Sequence, residues 1–315
     1  MNSCPGPKCY APETSCAMGN MELAKCPRWK GVVPEESPPD TEVQHVSLPW
    51  TGNALGLADL NFVTGRAKPL IIGIAGQESA GKTTLLAAWY LLLGRTRLTD
   101  DAWHFGGSFS LEGWEAVATA MRWSPGQAPG FPPHTSSRGA RAPGLLHLAF
   151  RHCERQLRDF LFADAPGEWF KRWAIDEHAE DAEGARWVSQ HADVLLLVAD
   201  RQALAGPKMG SARSAFQLLA TRVGAQRRGR PVALVWTKAD VEVAPEMKDR
   251  IRQAVMSIMP DAAEFSVSVL ADDTSAVGIG FQELFQWILA RRRSAIELPS
   301  AAASGADPLF VYGRR

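Results

Sequence analysis

The sequence carries no surplus of either charge: 34 basic side chains balance 34 acidic ones, for a formal net charge of zero. That balance removes the general electrostatic reason to expect a nucleic acid or an anionic membrane surface as partner. Long apolar runs are missing too. The longest, such as "VLLLVA" at 194–199, fall far short of the roughly 20 residues that a membrane-spanning helix needs. The N-terminal "MNSCPGPKCYAPE" lacks a basic start followed by an apolar stretch, so no secretory signal is expected and a cytoplasmic location is.

Cysteine is scarce beyond residue 26, where only Cys153 occurs; alone near an expected strand, it reads as a small core residue. The other four are Cys4, Cys9, Cys16 and Cys26. A reducing compartment argues against pairing them as disulfides. Two readings stand: a tetrahedral zinc site closing a segment too short for a core, or thiols on a flexible leader. The spacing Cys-x4-Cys-x6-Cys-x9-Cys lacks the Cys-x2-Cys knuckle of familiar zinc modules.

With 315 residues there is room for one sizeable α/β domain and appendages. The expected division is a cysteine-rich leader over 1–30 and a Pro-rich, acidic linker with a short amphipathic stretch over 31–64. A main α/β domain over 65–295 and a loosely ordered tail over 296–315 complete it. Apolar runs place strands at 70–75, 144–151, 157–163, 193–199, 231–236 and 265–270. Helical spacing appears at 82–94, about 169–190, 211–226, 244–258 and 280–293. Runs apolar throughout suit strands buried on both faces. Their alternation with helices predicts an α/β fold, a mostly parallel sheet flanked by helices in three layers.

Between the first strand and the first long helix lies "GQESAGKT", which fits G-x-x-x-x-G-K-[ST]. Gly76, Gln77, Glu78, Ser79, Ala80 and Gly81 would form a loop whose amides point at phosphate oxygens, backed by the positive end of the helix dipole. Lys82 would reach the β and γ phosphates, and the Thr83 hydroxyl would ligate magnesium, with Thr84 beside it. A phosphate loop alone does not separate GTP from ATP.

Two later strand ends do. "DAPGE" matches D-x-x-G, with Asp164 toward magnesium and the Gly167 amide toward the γ-phosphate. "TKAD", from Thr237 to Asp240, matches [NT]-K-x-D. The Asp240 carboxylate would accept two hydrogen bonds from the guanine N1 and exocyclic amine, while Lys238 lies along the base. Adenine offers no such donor pair, which would leave the carboxylate unpaired. In "EFSVSVL" a backbone amide near Ser268 would meet the guanine oxygen. Each match is weak alone. Four in sequence order, at strand ends where α/β sheets bind ligands, point to GTP and GDP.

These segments resemble the translation-factor-related (TRAFAC) class of P-loop GTPases over 65–295. "PLIIGIAGQESAGKTTLLAAWYLLL", "GGSFSLEGWE" and "FPPHTSS" are similar, more narrowly, to the bacterial double-GTPase 2 family. The resemblance implies a GTP-hydrolysing switch that acts on a protein effector or adaptor, in gene neighbourhoods like those of bacterial conflict and defence systems. The leader, ending "LAKCPRW", looks like a small metal module on related bacterial proteins. In this class the first helix-to-strand connection carries switch I, here the long stretch 96–143. Its magnesium-ligating threonine is assigned to Thr135, with Ser108 and Ser110 as alternatives. Arg138 and Arg141 stand in the same loop. Glu168 occupies the position where related GTPases often place Gln or His to orient water. A carboxylate there either orients water or faces solvent at a helix start, where its charge suits the dipole. The second role implies slow hydrolysis, on the order of 10⁻⁴ to 10⁻² s⁻¹ without a partner. A GTP-binding scaffold with little turnover and a P-loop ATPase are the competing functions. Asp200, just past "VLLLVA", reads as a strand-end cap. Trp89, Trp187, Trp236 and Trp287 read as core, and Trp103, Trp114 and Trp123 as a packed lobe within 96–143.

Overall fold

The structure is a computed structural model. It describes residues 54–123, 125–126, 130–132, 143–154, 156–270 and 279–292, together with residues 8, 9, 16, 18, 19, 22 and 25–28. The chain divides into two compact units, Met1–Leu48 and Pro49–Arg315.

The second unit holds strands β1 (Leu70–Ala75), β2 (Trp103–Gly107), β3 (Gly144–His152), β4 (Leu157–Asp164), β5 (Val194–Asp200), β6 (Val232–Thr237) and β7 (Ala263–Ser266). Its helices are α1 (Leu60–Thr64), α2 (Lys82–Gly94), α3 (Leu111–Ala118), α4 (Gly167–Ile175), α5 (Glu183–His191), α6 (Arg201–Ala205), α7 (Met209–Gln226), α8 (Pro245–Met256) and α9 (Ile279–Leu289). The strands form one sheet in the order β2-β3-β4-β1-β5-β6-β7. From β4 to β7 all pairings are parallel; β2–β3 and β3–β4 are antiparallel. This is the mostly parallel, helix-flanked sheet that the sequence predicts.

The central strands feed two cores by alternation. Ile71 and Ala75 of β1 pack with α4, α5, α7 and α8 through Trp173, Val188, Leu219 and Ile251. Leu70, Ile72 and Ile74 face the other way, onto α2, α3 and α9 through Trp89, Trp114 and Phe285. Burial on both faces is why these strands read as unbroken apolar runs.

Several elements depart from the sequence reading. The helix expected over 169–190 breaks after Ile175, because the Asp176 carboxylate turns back to accept from the His178 amide at 2.9 Å. Such Asx turns compete with helix continuation. The last strand ends at Ser266, not residue 270, so that 267–270 forms a loop. The 96–143 stretch adds β2 to the sheet edge and lays α3 against α2. Of its tryptophans, Trp114 is buried in the main core and Trp123 is exposed, so the three do not form one lobe. Trp89 and Trp236 are core, whereas Trp187 and Trp287 are half-buried. Cys153 is exposed in the β3–β4 turn, not buried, since that hairpin end projects beyond both cores.

Ser108 and Ser110 are committed to a buried polar centre around His147. The Ser108 hydroxyl donates to the His147 carbonyl, and the His147 amide donates to the Ser110 hydroxyl at 2.7 Å. The His147 ring lies 2.9 Å from Asp159, whose carboxylate the His147 and Arg66 partners hold below its usual range against the opposing effect of burial.

Candidate functional site

The parallel strands β1, β4, β5, β6 and β7 all deliver their carboxyl ends to one edge of the sheet, and the site is built from the loops that leave them. After β1 the chain turns through Ser79 (φ 58°) and Gly81 (φ 83°) before α2 begins at Lys82. The left-handed backbone at Gly81 favours glycine, which packs beside Thr237. Thr237 pins the loop from the other side, its hydroxyl donating to the Ala80 carbonyl at 2.8 Å. Gly76 carries no side chain because Val198 stands 3.0 Å from where a Cβ would be.

Lys82 is buried, and its ammonium donates to the carbonyls of Gly76 at 3.1 Å and Gln77 at 2.9 Å. Burial pushes its pKa down to about 8, against the attraction of Asp164, Glu168 and Glu78. A charge this poorly solvated is poised for an anionic ligand. Thr83 follows, with its hydroxyl 3.4 Å from the Asp164 carboxylate at the end of β4. The turn after Asp164 carries Gly167, which opens α4 hard against the phosphate-type loop: a Cβ on it would lie 2.2 Å from the Glu78 nitrogen.

On the opposite side, β6 ends at Thr237 and is followed by Lys238 in left-handed backbone at φ 53°. Its ammonium is held by Asp200 at 2.8 Å and Gln202 at 2.9 Å. Asp240 is exposed and accepts from the Ser268 hydroxyl. The Ala239 amide donates to the Val267 carbonyl at 3.1 Å, joining this loop to the one after β7.

These loops enclose a cavity of about 390 Å³. Its walls bring together residues 78–84, Gly167 and Glu168, Thr237, Lys238, Asp240 and Ser268. Gly76 and Gln77 sit behind the wall as acceptors for Lys82. Glu168 stands in the first turn of α4, as its sequence context suggests, and is half-buried in the cavity wall. Ser108 and Ser110 are not part of the lining. Thr135, Arg138 and Arg141 lie outside the described residues.

Residues 70–288, which span all these loops, match the family model described as Double-GTPase 2. The chain belongs to the Double-GTPase 2 family. Membership supports GTP binding and a GTPase function for the chain. Among solved structures, the chain is similar to a candidate nucleolar GTP-binding protein 1 from Plasmodium falciparum, at 14% identity and a TM-score of 0.37. That likeness covers 70% of this chain and 89% of the other. No curated protein matches the chain.

The donor set of this Double-GTPase 2 chain fits magnesium. That ion prefers one or two protein oxygens completed by water and substrate phosphates, and Thr83 and Asp164 present such a pair. Zinc finds no such support. Cys4 lies outside the described residues, Cys26 is buried, and no group of three or more His, Cys, Asp or Glu among the described residues is placed to hold a metal. No described helix is long and apolar enough to cross a membrane.

Sequence reasoning missed part of the lining. Gln202 lies two residues past the end of β5, and position alone could have flagged it. Phe131 and Pro132 reach the cavity from the 96–143 stretch, with Phe131 still 60% exposed. Gly130 anchors that approach by donating to the Ala120 carbonyl at 2.7 Å. Nothing in the local spacing of "GFPP" announces this contact.

Proposed function

We propose that the protein is a guanine-nucleotide switch: it binds GTP with magnesium, hydrolyses it slowly, and alters its affinity for a protein partner with the state of the nucleotide. The observation that carries this reading is the single cavity lined at once by the Lys82 loop, the Gly167–Glu168 turn and the Asp240–Ser268 pair. Lys82 and the loop amides would grip the phosphates. Thr83 and Asp164 would hold magnesium, which when bound neutralises phosphate charge and orients the terminal group. Asp240 would read the guanine edge, held in place by Ser268, while Lys238, tethered by Asp200 and Gln202, would support the base. Thr135 is proposed as the switch I ligand. Loops gripping a terminal phosphate relax when it leaves, which is how occupancy becomes a change in surface.

Glu168 favours a second reading. A carboxylate in the cavity wall opposes the γ-phosphate charge, so the same fold would serve as a GTP-binding scaffold with little turnover. In either case the partner is a protein effector or adaptor of a conflict-type system, the class that the family resemblance implies, and the leader cysteines are proposed to bind zinc as its docking module. Phosphate release from GTP, measured with and without neighbouring gene products, tests the proposal. Release on the order of 10⁻⁴ to 10⁻² s⁻¹ alone, accelerated by a partner, supports the switch. No release under any condition establishes the scaffold instead.

A further inference from the structure

The junction of β5 and α6 does more than cap a helix. Asp200 accepts from the amides of Gln202 at 2.9 Å and Ala203 at 3.4 Å with one carboxylate oxygen, and from Lys238 with the other. Its neighbour Arg201 works on the same loop from a different direction. One arm of the guanidinium donates to the Ala239 carbonyl at 2.8 Å, and the other to the Ser266 hydroxyl at 3.0 Å. The group lies 5.8 Å over the Trp236 ring, and its Nε is buried without a partner.

The two acceptors have telling positions. Ala239 directly precedes Asp240, and Ser266 lies two residues before Ser268, whose hydroxyl donates to Asp240. One rigid fork therefore ties the loop after β6 to the end of β7, from which the Ser268 loop leaves for the base-reading carboxylate. The nearby Glu264 does not need Arg201, since Trp236 Nε1 at 2.8 Å and both arms of Arg252 at 2.9 Å already satisfy it. An isolated ammonium could not span both acceptors or stack in this way.

We propose that Arg201 is a positioning residue for purine discrimination: by fixing the Ala239 carbonyl relative to the Ser266 hydroxyl, it aims Asp240 at both donors of the guanine edge. The inference rests on the reading of Asp240 as the guanine contact. The test compares GDP with inosine diphosphate, which keeps N1–H but lacks the exocyclic amine, by calorimetry on the full chain. If the unsubstituted protein binds the two equally, the guanine reading itself falls, before any variant is compared. If it prefers GDP, Arg201→Met should shrink the GDP-to-inosine-diphosphate affinity ratio by about five- to tenfold, through misalignment and partial weakening of the hydrogen bond from the exocyclic amine to the Asp240 carboxylate. Arg201→Lys keeps the charge without the fork and should show the same loss; it carries the test alone if the Met variant does not fold. A ratio unchanged in the variants, even with both affinities lowered together, would make Arg201 a merely structural residue. A ratio fully restored by lysine would assign the effect to charge instead of fork geometry. Either result overturns the proposal.

Discussion

Gly167→Ala puts the closest contact in the site under direct strain. The added Cβ would stand 2.2 Å from the Glu78 nitrogen and 2.5 Å from the Gln77 carbonyl carbon, where ordinary contact begins at 3.4 Å. Both neighbours are backbone, so no side chain can swing aside and the two loops must part by about an ångström. Overpacking of this kind costs about 1–3 kcal/mol. The parting also moves the Gly167 amide away from the loop that would cradle the phosphates. Affinity for GTP should therefore fall more than affinity for GDP. Gly210→Ala is the matched control: it lies in α7 with nothing within 4 Å of its Cβ position. It should gain up to about 1 kcal/mol from reduced backbone freedom in the unfolded chain. Urea denaturation gives the stabilities, and calorimetry the GTP and GDP affinities. A Gly167→Ala protein as stable as its parent, with an unchanged GTP-to-GDP ratio, would refute the reasoning.

Three further outcomes follow from the same geometry. Lys82 has its pKa lowered from 10.5 to about 8, so between these values the unfolded chain binds a proton that the folded one does not. Ligand-free stability should rise with pH across that window by about 3 kcal/mol relative to Lys82→Met; parallel pH profiles of the two proteins in thermal denaturation would contradict this. Asp240→Asn should move preference from guanine toward xanthine nucleotides, because the amide reverses the hydrogen-bonding pattern; full retention of GDP selectivity would mean another residue reads the base. Metal analysis should find about one zinc per chain in protein purified without chelator, and much less in a Cys4→Ser/Cys9→Ser variant; a content near zero in the parent would falsify the zinc module.

The parts legible in the sequence are those written in local spacing. "GQESAGKT", "DAPGE" and "TKAD" each sit at the end of an apolar strand, and the parallel sheet carries all three to one edge. The narrower resemblance, drawn from "PLIIGIAGQESAGKTTLLAAWYLLL", "GGSFSLEGWE" and "FPPHTSS", is to the family to which the chain belongs. What escaped is set by contacts between distant residues. The break at Asp176 depends on one side chain folding back on the backbone within an otherwise helical pattern. Strand β2 is exposed and ends in glycine, so it lacks the apolar signature of the central strands. The place of Glu168 in the cavity wall follows Gly167, which packs hard against the phosphate-type loop, a close approach invisible in one dimension. Asp200 reads locally as a cap; its grip on Lys238, and that of Arg201 on Ala239 and Ser266, appear only when three strand ends converge.

The central claim is that one cavity grips a magnesium-bound triphosphate through the Lys82 loop and selects its purine through Asp240. Calorimetric titration of the full chain with GTP and with ATP, each with magnesium, tests it most directly. The account predicts GTP binding at least about a hundredfold tighter than ATP, the discrimination expected when the Asp240 carboxylate, covered by the bound base, is left unpaired by the wrong purine. Equal affinities, or heat from neither nucleotide, would contradict it.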